Sequence, residues 1–107
     1  ALIGKWNVNS YTEIYYEENV KKGESTLYLY GNEMAIEFAS SGTGILYRDG
    51  DVLGLFSWTL NGNTLTVTGY NPPNWDISID KDFLTWSYSS DSVTYKTDYI
   101  YTAKKSN

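Results

Sequence analysis

Gly4-Lys5-Trp6 opens a chain in which apolar and polar residues alternate almost to the last residue. Alternation with a period of two is typical of β-strands that have one face in a core and the other in water. A flexible glycine beside a large indole, ahead of a continuous run of short strands, is what a small β-barrel needs to seal one end. This stretch therefore predicts an all-β fold.

Short reversals of the chain separate the predicted strands. Asp49-Gly50 is a favoured two-residue hairpin turn, and Asn61-Gly62-Asn63 reverses the chain again. Two consecutive prolines, which cannot donate ladder hydrogen bonds, predict a loop over Tyr70–Asn74. Links of hairpin length favour an up-and-down barrel over a sandwich. We expect a single domain, residues 1–107, folded as an antiparallel up-and-down barrel of about eight strands whose first and last strands are neighbours.

The first strand is predicted from Ile3 to Tyr16, and its inward face changes from apolar to polar. Strict alternation assigns to that face Trp6, Val8, Ser10, Thr12, Ile14 and Tyr16. Glu17–Glu24 carries Glu and Lys residues around a glycine, so it is predicted to be a solvated loop. Leu27–Tyr30 fits either a short strand or a lid across the barrel mouth.

Composition excludes several classes of function. The chain has 107 residues, 41% of them hydrophobic, and its thirteen acidic and eight basic residues give a net charge of -5. That charge repels phosphate backbones, so we expect no nucleic-acid partner. Cys and His are absent, which removes thiolate ligands and the commonest zinc ligand, and we expect neither a metal nor a cofactor. No apolar stretch approaches the roughly 20 residues of a membrane-spanning helix.

Catalysis is also not expected. The close acidic pairs in the sequence flank turn residues, and turn chemistry explains them. Glu13, Glu37 and Asp98 lie on predicted strands, where alternation predicts that they point outward into water. Without a histidine to act as a base, these observations predict that the protein is not an enzyme.

An eight-stranded barrel is either filled by its side chains or holds one small ligand. Large inward aromatic residues are predicted to form the core: Trp6, Phe38, Phe56, Trp58, Trp75 and Trp86. Where the inward faces become polar, they predict the following residues as lining a cavity: Ser10, Thr12, Tyr88, Tyr95, Thr97 and Tyr99. The alternative is that these hydroxyl groups bond to one another or to water.

Four stretches carry a resemblance that spans nearly the whole chain: Leu2–Trp6, Ile36–Phe38, Ser41–Gly44 and Trp58–Leu65. Together they resemble the short lipocalin-like domains of bacterial cell-envelope proteins. The resemblance implies a lipocalin-type barrel that is exported to the periplasm or the outer-membrane or cell surface, commonly held there by a lipidated cysteine, which would precede Ala1.

These observations predict a monomer that binds a small hydrophobic or amphipathic ligand in its barrel without chemistry. The alternative is a cell-surface interaction module that holds a glycan or a protein through exposed tyrosines. The candidates for that surface are expected to lie outside the barrel or near its mouth, and they are Tyr11, Tyr15, Tyr28, Tyr30, Tyr47 and Tyr70.

Overall fold

The structure is a computed structural model that describes residues 2–31, 33–70 and 72–106. Within these ranges the chain forms nine strands and no helix. A helix able to span a membrane is accordingly not found in the described ranges. The strands are β1 (Gly4–Glu17), β2 (Val20–Tyr28), β3 (Met34–Phe38), β4 (Thr43–Arg48), β5 (Asp51–Asn61), β6 (Thr64–Thr68), β7 (Asn74–Asp80), β8 (Phe83–Asp91) and β9 (Tyr95–Lys105).

Eight of these strands, all except β2, form a closed antiparallel barrel. Consecutive strands pair from β3 to β9, and β1 pairs with β3 on one side and with β9 on the other. The predicted all-β antiparallel barrel is therefore confirmed, as is the pairing of the first strand with the last. The loop predicted from the prolines lies between Thr68 and Asn74, and Asn71 within it lies outside the described residues.

The predicted loop over Glu17–Glu24 is wrong. The chain turns at Glu18 and Asn19, which both have positive φ, and β2 then runs back along β1. Of the segment Leu27–Tyr30, for which a strand or a lid was possible, Leu27 and Tyr28 belong to this strand and the last two residues follow it. Nearly every residue of β2 is exposed, and an edge strand with water on both faces accommodates charges that a buried strand would not. β3 pairs with the first part of β1, from Gly4 to Asn7, and β2 pairs with the same edge of β1 from Ser10 onward. The β1–β2 hairpin therefore extends one wall of the barrel beyond β3.

A β-bulge at Asn9 decides which side chains of β1 face inward. Val8 pairs with Ala103 and Ser10 pairs with Thr102, so Asn9 is the extra residue. One extra residue moves every later side chain of the strand to the opposite face. The concave face beyond the bulge therefore carries Tyr11, Glu13 and Tyr15. The predicted inward positions of Ser10, Thr12, Ile14 and Tyr16, and the predicted outward position of Glu13, are wrong.

One end of the barrel is sealed around Trp6. This indole is fully buried, and its Nε1 donates a hydrogen bond to the carbonyl oxygen of Leu2 at 2.9 Å. Gly4 has φ of 131°, a conformation that side-chain-bearing residues rarely adopt, and it lies against Lys105 where the chain enters the barrel. Of the predicted core aromatics, Trp58 is half-buried, and those that are buried are Trp6, Phe38, Phe56, Trp75 and Trp86.

The packing of Phe56 depends on the missing side chain of Gly44. The two residues are cross-strand partners on β4 and β5, and a Cβ atom at position 44 would lie 2.0 Å from Cε2 of Phe56. The Phe56 ring fills the space that this glycine leaves and meets Phe38 edge-on, with the ring centroids 5.9 Å apart. A single methyl group at position 44 would therefore displace part of the aromatic core.

We expect Gly44→Ala to lower the free energy of unfolding by about 2 kcal/mol or more, because the Phe56 ring must leave its position. Urea denaturation followed by tryptophan fluorescence measures this. Gly54→Ala is the matched control, since its new Cβ would meet its nearest neighbour, the Tyr70 hydroxyl, at an ordinary 3.8 Å. We expect the control to change stability by no more than about 0.5 kcal/mol. Equal losses in the two variants would contradict this account.

Candidate functional site

The interior of the barrel is nearly filled by its own side chains. A cavity of about 100 Å³ remains among Met34, Trp75, Trp86, Tyr88 and Tyr101. A dry apolar cavity of about 150 Å³ is large enough to hold benzene, so this space can take the end of a ligand but not a whole one. The aromatic core therefore excludes a deep ligand-binding cup.

A larger cavity of about 390 Å³ lies at the end of the barrel opposite Trp6. Met34 and Tyr101 line this cavity as well as the inner one, so the two spaces adjoin. Glu33, Arg48 and Asp49 supply charged groups at its rim. The remaining walls are largely apolar or aromatic and include Tyr11, Leu27, Leu29 and Leu53. We call this space the mouth cavity.

Two irregularities of the sheet build the walls of the mouth cavity. The bulge at Asn9 turns Tyr11 toward it, and Leu27 on β2 is the cross-strand partner of Tyr11. On the opposite wall, Leu46 pairs with Gly54 while Tyr47 pairs with Val52, so Leu53 is an extra residue of β5. Both bulges place a side chain that regular alternation would direct elsewhere.

A continuous array of aromatic rings leads from the mouth cavity into the barrel. Tyr101 lies between Tyr11 and Trp86, with ring centroids at 4.7 Å and 5.0 Å, and is nearly parallel to Trp86. Trp86 in turn stacks on Trp75 at 6.1 Å. Tyr88 lies 5.7 Å from Trp75 and forms a second line of contacts through the array. Such rings present a large and rigid apolar surface with polar tips.

The structure brings together two of the six predicted cavity-lining residues. Tyr88 and Tyr99 are cross-strand partners on the concave face, with their ring centroids 5.1 Å apart, and Tyr88 lines the inner cavity. Tyr95 and Thr97 share that face but lie further from the barrel, where neither lines either cavity.

Ser10 and Thr12 lie on the outer face of the sheet. The Ser10 hydroxyl hydrogen-bonds to the hydroxyl of Thr102, and the Thr12 hydroxyl lies 3.0 Å from that of Thr26. These contacts match the alternative in which the hydroxyls bond to one another. Because both side chains are outside, neither residue can line the barrel.

Sequence reasoning did not include Tyr11, Leu27 or Leu53 among the cavity-lining residues, although it offered Leu27–Tyr30 as a possible lid across the barrel mouth. The sequence of β1 carries no clear signal for the shift that the bulge causes, since the face of Tyr11 also carries Glu13 and the face of Ser10 also carries Ile14. No signal in the sequence marks Leu53 either.

The tyrosines proposed for an exposed binding surface are dispersed. Tyr28 and Tyr30 are exposed by 64% and 73%, the first on the outer face of β2 and the second in the link that follows. Tyr47 donates a hydrogen bond to Glu37 at 2.7 Å and lies under the ammonium group of Lys5. Tyr11 belongs to the aromatic array on the concave face, and Tyr70 is 38% exposed with its ring centroid 6.1 Å from that of Trp75.

The chain matches no protein-family model, no curated protein and no solved structure. No group of three or more potential metal-ligating side chains is found in the part of the chain that the structure describes. The candidate functional site is therefore the mouth cavity with its aromatic array.

Alkaline pH should destabilise the fold through the phenols of the array. Burial raises the pKa of Tyr101, and burial followed by the charge of Glu13 raises the pKa of Tyr11, both above the ordinary 10.0. A group whose pKa is raised in the folded protein contributes its full share to the free energy of unfolding below its unfolded pKa. That contribution is lost as the pH rises toward the folded pKa, because the unfolded chain releases the proton first.

We therefore expect the free energy of unfolding to fall as the pH rises above about 10, as measured by urea denaturation across that range. Tyr101→Phe should make this fall less steep. Tyr28→Phe, which changes an exposed ring, should leave the slope as it is. A slope that Tyr101→Phe leaves unaltered would show that this phenol is not responsible.

Proposed function

We propose that this protein is a lipocalin-like binding protein that holds a small hydrophobic or amphipathic ligand at the mouth of its barrel, without chemistry. The observation that supports this most directly is the mouth cavity of about 390 Å³, with its largely apolar and aromatic walls. Each Å² of apolar ligand surface removed from water there contributes roughly 25 cal/mol. The proposal includes export to the bacterial cell envelope, on the strength of the sequence resemblance alone.

The dimensions of the two cavities favour a particular arrangement of the ligand. Pockets for small molecules usually measure about 300 to 1,000 Å³, and the mouth cavity falls within that range. The adjoining inner cavity of about 100 Å³ would take the end of an alkyl chain or the edge of a ring. The ligand would therefore direct its apolar part past Met34 toward Trp86 and keep its polar part near the rim.

Polar groups at the mouth would orient the ligand. Tyr11 and Tyr101 line the mouth cavity with phenol groups, which are protonated near neutral pH and can donate hydrogen bonds. At the rim, Arg48 provides one positive charge, and Glu33 and Asp49 provide two negative charges. These groups would bind and orient a ligand, and the proposal assigns none of them a chemical step.

Binding of dodecyl maltoside, measured by isothermal titration calorimetry below its micelle-forming concentration, tests the proposal. We expect the detergent to bind and maltose alone not to bind, because the alkyl chain carries the affinity. Met34→Trp, which fills the junction of the two cavities, should weaken binding at least about tenfold. Leu53→Trp fills the mouth from an exposed position, so it should also weaken binding and should not disturb the core.

Tyr28→Ala and Tyr30→Ala are the controls for the alternative function, because both rings are exposed away from the mouth cavity. Loss of binding in these variants, with Met34→Trp unaffected, would overturn the mouth-cavity proposal in favour of a tyrosine surface. Binding of maltose alone would point to the same surface.

A further inference from the structure

Glu13 lies on the concave face among tyrosines. It is the cross-strand partner of Tyr99, and Tyr11 and Tyr15 flank it on the same face of β1. The rings of Tyr11 and Tyr99 are nearly parallel, with their centroids 6.3 Å apart. A carboxylate therefore stands between phenol rings on the wall that rises from the barrel mouth.

The ion pairs close to Glu13 lie on the opposite face of this wall. The salt bridges among the described residues are Lys21–Glu24 and Lys96–Asp98. Glu24 and Asp98 are both cross-strand partners of Ile14, which faces outward. Neither lysine is therefore paired with Glu13, and both neutralise carboxylates on the opposite face.

This cluster combines two features that attract an ammonium group, the faces of aromatic rings and a carboxylate. The faces of aromatic rings carry negative potential and attract cations, most strongly when the cation is partly desolvated. A carboxylate beside them adds a full negative charge. Glu13, Tyr11 and Tyr99 are each half-buried, so the cluster is reachable by a ligand yet partly shielded from water.

Tyr11 links this cluster to the mouth cavity. Its ring lines the cavity, and Glu13 follows two positions further along the strand, about 7 Å away. We infer that Glu13, framed by Tyr11, Tyr15 and Tyr99, binds the cationic head group of an amphipathic ligand whose apolar part lies in the mouth cavity. This inference rests on the proposed function and names the chemical class of its ligand.

A comparison of two amphiphiles with the same alkyl chain tests the inference. Dodecyltrimethylammonium and dodecanoate, each below its micelle-forming concentration, are titrated into the protein by calorimetry, with dodecyl maltoside as the neutral reference. We expect the ammonium compound to bind about tenfold more tightly than dodecanoate. Added salt should narrow that difference, because it screens the charge of Glu13.

Glu13→Gln should remove most of the preference for the ammonium compound and leave the affinity for dodecyl maltoside unchanged. Glu24→Gln is the matched control, since it removes the same charge from the outer face and should preserve the preference. Tyr99→Leu should also reduce the preference, whereas Tyr99→Phe, which keeps the ring, should retain it.

The outcomes separate this inference from the proposed function. Equal binding of the two charged amphiphiles, tighter binding of dodecanoate, or a preference that survives Glu13→Gln would overturn the inference and leave a mouth-cavity binder in place. Failure of all three amphiphiles to bind would overturn both. The wild-type preference is measured without any variant, so a poorly folded variant does not remove the test.

Discussion

Pairing between β1 and β9 is the constraint on which the rest of the structure depends. These strands come from the two ends of the chain, and their ladder runs from Trp6 opposite Lys105 to Glu17 opposite Tyr95. The ladder converts a ribbon of consecutive hairpins into a closed ring, and a ring satisfies the backbone groups that two open sheet edges would expose. It also brings Tyr11 to Tyr101, and thereby joins the mouth cavity to the aromatic core.

The filled interior distinguishes this barrel from one with a deep cup. Eight strands close a narrow ring, and the aromatic side chains of its inner faces then occupy most of the enclosed volume. Aromatic side chains are consequently buried at one end of the barrel and line an open cavity at the other. Trp6 and Phe38 seal one end, whereas Tyr11 and Tyr101 present their rings at the other.

Much of the fold could be predicted from the sequence, because hairpin turns and period-two alternation are local signals. The Asp49-Gly50 turn and the placement of Trp86 and Tyr88 on one face of a strand needed no knowledge of distant contacts. The candidate site was harder to predict, since it depends on bulges. Asn9 and Leu53 are extra residues only relative to a partner strand, and the register of that partner is a property of the folded sheet. Alternation carried past Asn9 therefore placed Ser10 inside and Glu13 outside, the reverse of the observed faces.

β2 stands apart from the ring, and this gives the protein a modular character. The barrel closes through β1, β3 and β9 whether or not β2 is present, yet β2 supplies Leu27 to the wall of the mouth cavity. Under the proposed function, changes in the hairpin would reshape ligand specificity while the strand pairings of the closed ring stay in place. Such a division would make the β1–β2 hairpin the natural region for evolutionary divergence and for laboratory selection of new specificities.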